Sequence, residues 1–267
     1  MRRCAVLGSP IAHSRSPVLH RAAYQVLGLD WRYDAIEVEV SELAGFLASC
    51  DDDWIGLSLT MPLKSAVLPY LSSMSRTVRE VRAANTVLFT PEGLVGHNTD
   101  VAGMVRALMS VGYAGGSDRA TLIGAGATAR SALASLAGLG VAQVDVLVRR
   151  TGAAAEIDDV ARAVGIEIRE VGVDADVRQA LSASVVVSTV PGGGADHLAD
   201  QIPAEAGVLL DVNYSDWPTG LAAAWTGKVA SGFDLLLWQA VDQVELMTGL
   251  PAPVEAMRTA LVDSGTI

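Results

Sequence analysis

From residue 100 onward, short apolar segments typical of buried strands alternate with segments of helical periodicity. Strands are predicted over residues 120–123, 144–148, 166–171, 185–188, 208–212 and 228–230, and helices over residues 101–111, 128–139 and 153–164. Parallel strands of one sheet are joined by crossover segments, which are usually helices. The alternation therefore predicts a parallel, doubly wound α/β sheet in this half of the chain.

The first hundred residues and the C-terminal segment follow a different pattern. Strands are predicted over residues 4–7, 31–40 and 54–59, and a hairpin over 87–89 and 94–95. Ser16 is expected to cap a helix with Pro17 at its first position, and Ser41 to start a second helix. The tail predicts two helices, residues 233–248 and 254–261, that pack back on the first half. We therefore expect two domains, residues 1–99 with 233–267 and residues 100–232.

Composition excludes several classes of function. Hydrophobic residues make up 51% and charged residues 18% of the 267 residues, which indicates a folded chain with a sizeable core. The net charge of −11 argues against nucleic-acid binding, because an acidic surface repels phosphate backbones. The longest uncharged stretch, residues 179–195, contains a proline and three glycines, so no membrane span is expected.

Cysteine and histidine usage indicates a cytoplasmic protein without a metal. Cys4 and Cys50 make no disulfide framework and are interpreted as small hydrophobic residues in a reducing compartment. The four histidines show no ligand spacing with cysteines or paired acids. The N-terminus leads directly into a strand-like segment, so no secretory leader is expected. The sequence does not indicate the oligomeric state, because its apolar residues suit a core and an interface equally. A monomer or a homodimer is expected.

A glycine-rich turn joins the first strand and helix of the alternating half. Gly124-Ala125-Gly126-Ala127-Thr128-Ala129 has the form G-x-G-x-x-A directly after a predicted strand and directly before a predicted helix. In a Rossmann-like domain the first glycine permits the tight turn, the second lets the backbone approach a pyrophosphate, and the alanine allows close helix packing. A plain tight turn between strand and helix is the alternative. We predict dinucleotide binding at this turn.

Basic residues follow the next strand of the same half. Arg149-Arg150-Thr151 stands where an NAD-binding domain usually places an acidic residue for the ribose hydroxyls. A guanidinium is a planar cation suited to a 2′-phosphate, so this segment predicts NADP rather than NAD. A solvated pair of surface charges is the alternative interpretation.

Two serines follow the first strand of the first half. Ser14 and Ser16 lie between that strand and a predicted helix, whose N-terminus favours anions. Both hydroxyls can donate to a carboxylate, which predicts an anionic substrate at this strand end. Taken alone, Ser16 can equally be a helix cap.

Two charged residues stand at other element ends of this half. Lys64 follows the third strand closely, in the segment Thr60-Met61-Pro62-Leu63-Lys64, where Pro62 is expected to start a helix that carries Lys64. Asp100 precedes a predicted helix. Asn85-Thr86 begins the hairpin between them. An isolated lysine is usually a surface residue, and Thr99-Asp100 can be a simple helix cap. The combination rather than any single residue indicates a site.

In order along the sequence, these segments resemble the shikimate dehydrogenase family over nearly the full chain. No single motif is decisive, but the ordered set is highly specific. The motifs are Pro10-Ile11-x-His13-Ser14-x-Ser16-Pro17, Thr60-x-Pro62-x-Lys64, Ala84-Asn85-Thr86, Asn98-Thr99-Asp100, the Gly124 turn, Asp211-x-x-Tyr214-x-x-x-Pro218-Thr219, and Gln239.

The resemblance implies a reaction and the parts that perform it. The reaction is the reversible, NADPH-dependent reduction of 3-dehydroshikimate to shikimate in aromatic amino acid (chorismate) biosynthesis. Residues 1–99 with 233–267 are implied to bind substrate and residues 100–232 to bind NADP. Lys64 and Asp100 are implied to flank the reacting centre. The implied substrate contacts are Ser14, Ser16, Thr60, Asn85, Tyr214 and Gln239, and Val212 and Gly232 match positions near the nicotinamide.

These residue types suit that chemistry. Negative charge grows on the ketone oxygen as hydride arrives, and a lysine ammonium can stabilise the charge and deliver a proton. In the reverse direction a neutral lysine takes the proton from the alcohol. Asp100 can orient Lys64 and accept a substrate hydroxyl.

The chain also departs from the family pattern. Ser58-Leu59 stands where the family often has Asn-Val, and Arg149 where it often has Asn before Arg-Thr. Val187-Ser188-Thr189 and Leu235-Leu236 replace the usual segments near the cofactor. These departures leave Lys64 and Asp100 unchanged, but they alter residues that are expected to contact the cofactor.

Three alternatives stay open. A quinate or aminoshikimate dehydrogenase is the nearest, although relatives that favour quinate tend to change the carboxylate-binding serines or to use NAD. The retained Ser14, Ser16 and Arg150 therefore favour shikimate. A non-catalytic NADP-binding regulator is a rival of another class, but it has no use for Lys64 together with Asp100. A methylene-folate dehydrogenase also uses a lysine, but gives the serine pair no role.

Overall fold

The computed structural model describes residues 1–215 and 217–264 and divides into two compact units. The first unit comprises Met1–Thr99 and Leu236–Ile267, and the second comprises Asp100–Leu235. Each unit contains a six-stranded sheet with helices packed against it. The α/β class predicted from the sequence is confirmed.

The sheet of the first unit is mixed. Its strands are β1 (Arg2–Gly8), β2 (Trp31–Glu37), β3 (Trp54–Leu59), β4 (Ser73–Met74), β5 (Thr86–Thr90) and β6 (Gly93–His97). They lie in the order β2-β1-β3-β5-β6-β4. β2, β1 and β3 are parallel, whereas β5 runs antiparallel to both β3 and β6. The helices before residue 100 are α1 (Ser16–Val26), α2 (Leu43–Ser49), α3 (Leu63–Ala66) and α4 (Arg76–Val81).

The central strand β1 is buried on both faces. Ala5 and Leu7 pack into one apolar cluster, and the alternate residues Cys4 and Val6 pack into another. Successive side chains of a strand point to opposite faces, so a strand between two layers is apolar almost throughout. Burial on both sides fixes the position of the strand end, where the loop that carries Ser14 begins.

The sheet of the second unit is parallel. Its strands are β7 (Arg119–Ile123), β8 (Gln143–Val148), β9 (Glu167–Gly172), β10 (Val185–Ser188), β11 (Val208–Asp211) and β12 (Val229–Ala230). Its helices are α5 (Asp100–Ser110), α6 (Ala127–Gly138), α7 (Asp158–Val164), α8 (Arg178–Leu181) and α9 (Gly220–Ala224). The strand order is β12-β11-β10-β7-β8-β9, so the direction of winding reverses between β7 and β10. Doubly wound sheets bind ligands at such a switch point, beyond the carboxyl ends of the strands.

The tail forms two further helices, α10 (Gly232–Thr248) and α11 (Val254–Asp263). α11 packs against α1, and Met247 of α10 joins the apolar cluster of Cys4 and Val6. The helices that follow residue 235 thus complete the first unit, as the tail pattern predicted.

Four local predictions are wrong. β2 ends at Glu37 rather than at residue 40, and α2 begins at Leu43 with Glu42 at its N-cap position, so Ser41 does not start it. Residues 153–164 form a 3₁₀ helix, Ala153–Ile157, followed by α7 rather than one continuous α-helix, because short 3₁₀ turns often open a helix. α1 begins at Ser16 itself with Arg15 at the N-cap position, so Ser16 does not cap the helix. In the part of the chain that the structure describes, no helix combines the length and the apolar character needed to cross a membrane.

Candidate active site

Three loops meet at one end of the first sheet. The Thr60 amide donates to the carbonyl of Leu7 at 2.9 Å, and the Leu59 amide donates to the carbonyl of Asn85 at 2.8 Å. A Cβ on Gly8 would lie 2.4 Å from Cγ2 of Thr60, so only glycine permits this approach. Thr60 and Asn85 are therefore brought together at the end of β3.

Ser14 and Ser16 occupy the loop between β1 and α1. Ser14 is half-buried and its Oγ accepts the amide of Ser16 at 3.4 Å, whereas the Ser16 side chain is buried and shares a hydrogen bond with Tyr33. Both serines thus stand where the N-terminus of α1 favours an anion. The hydroxyl groups are suited to a carboxylate, as the sequence predicts.

Lys64 lies on the short helix α3. Its carbonyl accepts the amide of Ala84 at 2.8 Å, and the hydroxyl of the neighbouring Ser65 donates to the carbonyl of Arg82 at 3.1 Å. These bonds tie α3 to the segment that precedes Asn85. The Lys64 side chain is partly exposed. Lys64 is therefore carried on a backbone that is fixed beside Asn85.

Asn85 is 1% exposed and its amide orientation is set by its neighbours. Oδ1 accepts the backbone amide of Thr99 at 2.8 Å and the hydroxyl of Thr86 at 3.0 Å. Nδ2 donates to Oγ1 of Thr99 at 2.8 Å and to Oε1 of Gln239 at 3.4 Å. Because the Thr99 amide can only donate, the oxygen and nitrogen of Asn85 cannot be exchanged. Asn85 and Gln239 thus form one hydrogen-bonded pair.

Sequence reasoning missed Gln243. It is 1% exposed and donates to the carbonyl of Asn85 and to the hydroxyl of Thr86, both at 3.0 Å. It follows Gln239 by four residues on a predicted helix, a spacing that places both side chains on one face. The four-residue spacing of the two glutamines is the sequence feature that could have indicated Gln243.

A cavity of about 400 Å³ also lies in the first unit, near Asn98 and Thr99. Its other lining residues are Ser75, Thr77, His97, Asp242, Glu245 and Leu246. Burial lowers the pKa of His97. Ser14, Ser16 and Lys64 are not among these lining residues, so this cavity does not coincide with the predicted substrate contacts.

The glycine turn of the second unit has the geometry that dinucleotide binding requires. Gly124 has φ 102°, in the region that favours glycine, and a Cβ there would lie 2.8 Å from Oγ1 of Thr189. Gly126 is the N-cap residue of α6, and a Cβ added to it would meet no atom within 4 Å. Ala129 is fully buried beneath the turn. The helix therefore presents its first amides beside open space, where a phosphate can approach.

A cavity of about 530 Å³ lies beside this turn, at the switch point of the sheet. Gly124 and Ala125 line one side, Val190 lines another, and Arg149 and Arg150 line the part that follows β8. Arg150 forms an exposed ion pair with Glu156. Ala127 and Thr128 form the first turn of α6. The turn, the cavity and the two guanidinium groups fit a dinucleotide that carries an additional phosphate.

The backbone after the two arginines is held by Glu170 of β9. Its carboxylate accepts the amide of Gly152 at 2.7 Å and the amide of Ala154 at 2.9 Å. These two hydrogen bonds lower the pKa of Glu170. Thr151 lies in the exposed part of the same loop. The loop is thus fixed by backbone bonds, while its basic side chains extend to solvent.

Val212 and Gly232 lie together in the second unit. The Gly232 amide donates to the carbonyl of Asn213 at 3.2 Å, and a Cβ on Gly232 would lie 2.4 Å from the carbonyl oxygen of Val212. Asp211 stabilises this turn by accepting the side chains of Asn213 at 2.8 Å and Thr219 at 2.7 Å. Glycine is therefore required where α10 begins.

Tyr214 and Asp100 complete the predicted set. The Tyr214 ring lies 5.7 Å from that of Phe233. Asp100 is the first residue of α5 and is 4% exposed. Both belong to the second unit, whereas Lys64 belongs to the first. The pairing of Lys64 with Asp100 stays a prediction. Among residues 1–215 and 217–264, no cluster of three histidine, cysteine or acidic side chains suited to a metal is found.

Two family models match the chain. The shikimate dehydrogenase substrate binding domain matches residues 6–87, and the shikimate 5'-dehydrogenase C-terminal domain matches residues 232–262. The first match covers β1 to β5, and the second covers most of α10 and α11. Both matches lie largely within the first unit.

Relatives extend the similarity over almost the whole chain. The chain is 31% identical to the shikimate dehydrogenase (NADP(+)) of Methanothermobacter thermautotrophicus, over 96% of this chain and 94% of the relative. The structure of Mycobacterium tuberculosis shikimate dehydrogenase is 41% identical, with a TM-score of 0.90 and coverage of 98% and 100%. The Thermus thermophilus shikimate 5-dehydrogenase in complex with NADP(H) and shikimate is 30% identical, with a TM-score of 0.85 and coverage of 99% and 100%.

Proposed function

The chain belongs to the shikimate dehydrogenase family, and from this premise we propose how its residues perform the reaction. The reaction is the reversible, NADPH-dependent reduction of 3-dehydroshikimate to shikimate in aromatic amino acid biosynthesis. The C3 ketone gains a hydride and a proton, and NADPH becomes NADP⁺. The chain is accordingly an NADP-dependent oxidoreductase.

We assign substrate binding to residues 1–99 with 233–267 and cofactor binding to residues 100–232. The observation that carries this assignment is the hydrogen-bonded cluster at the end of β3. Asn85 lies there between Thr99, Gln239 and the backbone of Leu59, with both ends of its amide group bonded. All four hydrogen-bonding positions of the Asn85 amide are filled, so a substrate hydroxyl binds this cluster by replacing its longest bond, the 3.4 Å contact between Asn85 and Gln239.

The substrate contacts follow from the chemistry of each side chain. Ser14 and Ser16 hold the substrate carboxylate through their hydroxyl groups, helped by the N-terminus of α1. The ring hydroxyls are bound by four polar side chains, namely Thr60, Asn85, Tyr214 and Gln239. This distribution lets the chain recognise shikimate through its carboxylate and its hydroxyl groups separately.

Lys64 and Asp100 are the proposed catalytic pair. The Lys64 ammonium donates a proton to the oxygen of the ketone as negative charge develops there, and the neutral amine accepts it in the reverse direction. Asp100 orients Lys64 and accepts a hydroxyl of the substrate.

The second unit offers a site that fits NADP. Gly124, Ala125, Gly126, Ala127 and Thr128 would hold the pyrophosphate on backbone amides. Arg149, Arg150 and Thr151 would hold the adenosine 2′-phosphate, and Val212 and Gly232 would contact the nicotinamide. When bound, the cofactor supplies or accepts the hydride.

Steady-state assays with two substrates and two cofactors test this function. We expect the highest kcat/KM for shikimate with NADP⁺, and lower values for quinate with NADP⁺ and for shikimate with NAD⁺. A higher kcat/KM for quinate with NAD⁺ would make the chain a quinate dehydrogenase. Tight NADPH binding without turnover of any cyclohexene acid would support a non-catalytic regulator instead.

The location and the oligomeric state of the enzyme are also proposed. We propose a cytoplasmic location, supported by two cysteines that are not paired with each other. A monomer or a homodimer is the proposed state, and sedimentation velocity at several concentrations distinguishes the two.

A further inference from the structure

A chain of buried polar side chains runs through the first unit beneath the proposed substrate contacts. Tyr33, Ser58, Thr86 and Gln243 are each at most 3% exposed, although each carries a polar group. Burying such groups is unfavourable unless they are hydrogen-bonded. All four are bonded, and the bonds join them into one continuous path.

The path begins near the carboxylate-binding loop. The Tyr33 hydroxyl shares a hydrogen bond with Ser16 and donates to Oγ of Ser58 at 2.6 Å. Ser58 in turn donates to Oε1 of Gln243 at 2.8 Å. Ser58 thus connects Tyr33 to Gln243 through a short hydroxyl side chain.

Gln243 continues the path to Asn85. Its Nε2 donates both hydrogens, one to the carbonyl of Asn85 and one to Oγ1 of Thr86. The Thr86 hydroxyl then donates to Oδ1 of Asn85 at 3.0 Å. From there Nδ2 of Asn85 reaches Gln239.

The carbonyl of Asn85 fixes the orientation of the Gln243 amide, and this sets the direction of the bonds with Ser58 and Thr86. The carbonyl of Asn85 can only accept, so the group facing it must be the NH₂ of Gln243. Oε1 of Gln243 therefore faces Ser58, which must donate to it. Thr86 accepts from Gln243 and has a single hydrogen left for Asn85. The arrangement thus presents Asn85 with a donor at Oδ1.

His20 supports the acceptor end of Gln243. Its Nε2 lies 3.3 Å from Oε1 of Gln243, and its ring stacks on that of Tyr33 with centroids 3.9 Å apart. Burial lowers the pKa of His20 to about 3, so the ring is neutral near pH 7. A neutral ring donates from one nitrogen only and matches the single oxygen of Gln243.

We propose that Gln243 is a positioning residue for substrate binding, which acts by holding the backbone carbonyl of Asn85 and by directing the Thr86 hydroxyl to donate to the Asn85 side chain. The inference rests on the proposed function, because it takes Asn85 and Gln239 as substrate contacts. Gln243 is 1% exposed and its side chain is bonded to protein groups at both ends, so we assign it no contact of its own with substrate or cofactor. Its effect is therefore expected on shikimate binding and on the rate of the reaction, and not on the cofactor.

The decisive variant is Gln243→Glu. It keeps the length of the side chain and an oxygen for Ser58, but leaves at most one hydrogen, that of a protonated acid, where the NH₂ group had two. The carbonyl of Asn85 and the hydroxyl of Thr86 therefore cannot both keep their donor. We expect KM for shikimate to rise roughly 10- to 100-fold, as for one or two buried hydrogen bonds lost. KM for NADP⁺ is expected to stay within about twofold of the wild-type value. A factor of two corresponds to under half a kcal/mol.

Thr86→Val provides a second route to the same test. It removes the hydroxyl between Gln243 and Asn85 with little change in shape, and stays informative if Gln243→Glu fails to fold. We expect a rise in KM for shikimate with KM for NADP⁺ unchanged. In the double variant the two effects are expected to be less than additive, because both act on Asn85.

Thr121→Val is the matched control. Thr121 is fully buried in β7 and donates to the carbonyl of Ala180 at 2.6 Å, so the variant also deletes a buried hydrogen bond. It is expected to lower Tm and to leave KM for shikimate unchanged. The proposal is overturned if folded Gln243→Glu and Thr86→Val keep the wild-type KM for shikimate, or if both cofactor and substrate constants change together. Wild-type protein without shikimate activity would instead overturn the proposed function.

Discussion

At the scale of single residues, Lys64 offers the sharpest test of the chemistry. The chain has two lysines, and the other, Lys228, precedes β12 in the second unit. We expect Lys64→Ala to lower kcat roughly 10²- to 10⁴-fold, because a proton donor to the developing alkoxide is lost. The Kd for NADPH, measured by fluorescence titration, is expected to stay unchanged. Near-normal turnover in this variant, with Lys228→Ala as the control, would exclude Lys64 from the mechanism.

Arg150 tests the choice of cofactor. Its guanidinium lines the cavity of the second unit, and its ion pair with Glu156 is exposed and contributes little to stability. We expect Arg150→Ala to raise KM for NADPH about 10- to 100-fold, as for a lost charge-assisted hydrogen bond, and to leave KM for NADH unchanged. Glu156→Gln is the control, and is expected to keep the preference for NADPH. An unchanged preference in Arg150→Ala would contradict the assignment.

At the residue scale, the sequence predicted side chains whose chemistry is visible in their type. Ser14, Lys64 and Arg150 stand at predicted element ends and were found there. Gln243 was not predicted, because a glutamine on an apolar helix face carries no chemical signature of its own. Its partners Ser58 and Thr86 lie far away in sequence, and only the fold brings them together.

At the scale of elements, the turn between β7 and α6 allows cofactor binding to be changed by a substitution that leaves folding unchanged. A Cβ at Gly126 would meet no atom within 4 Å, and its φ is −85°, an ordinary value. We expect Gly126→Ala to keep the wild-type Tm but to weaken NADP⁺ binding about tenfold, a loss of about 1.4 kcal/mol, because the methyl group occupies the phosphate position.

A second alanine in the same helix serves as the control for this prediction. Gly138, near the end of α6, also has open space around an added Cβ. Gly138→Ala is expected to leave NADP⁺ binding unchanged, and its Tm to stay the same or rise. Equal binding of NADP⁺ to wild type and Gly126→Ala, measured by calorimetry, would show that no phosphate lies at this turn.

Element prediction succeeded where a repeating pattern is long enough. β3 and β10 have the predicted bounds, and the other long strands and helices of the second unit differ from their predicted ranges by a residue or two. The four-residue helix α8 was not predicted, because it is barely one turn long and shows no periodicity, whereas α3 was expected from Pro62. The 3₁₀ helix before α7 was missed for a related reason, since its residues also suit an α-helix.

At the scale of the whole molecule, the sequence predicted an α/β chain but not the order of its strands. The order β2-β1-β3-β5-β6-β4 depends on which strands pair although they lie far apart in sequence. An apolar segment does not itself indicate which strand it pairs with. In the second sheet the alternation of strands and helices left fewer choices, because crossover connections are right-handed and short.

The stability of the molecule is expected to depend on pH through His20. Burial lowers its pKa from 6.5 to about 3, so between these values the unfolded chain binds one more proton than the folded chain. This contribution to the free energy of unfolding is complete above pH 6.5 and is lost as pH falls, by at most about 1.4 kcal/mol per unit. Urea unfolding between pH 7 and 5 measures this slope. In His20→Phe the slope is expected to be smaller, and equal slopes would show that His20 is not buried as a neutral ring.

The central claim is that the chain moves a hydride from the nicotinamide to C3 of 3-dehydroshikimate. The most direct measurement uses NADPH deuterated at both positions of nicotinamide C4, with 3-dehydroshikimate as substrate, and analyses the product by NMR and mass spectrometry. We expect shikimate with one deuterium at C3, formed in equal amount to the NADP⁺ produced. Oxidation of NADPH without labelled shikimate, or shikimate without deuterium at C3, would contradict the account.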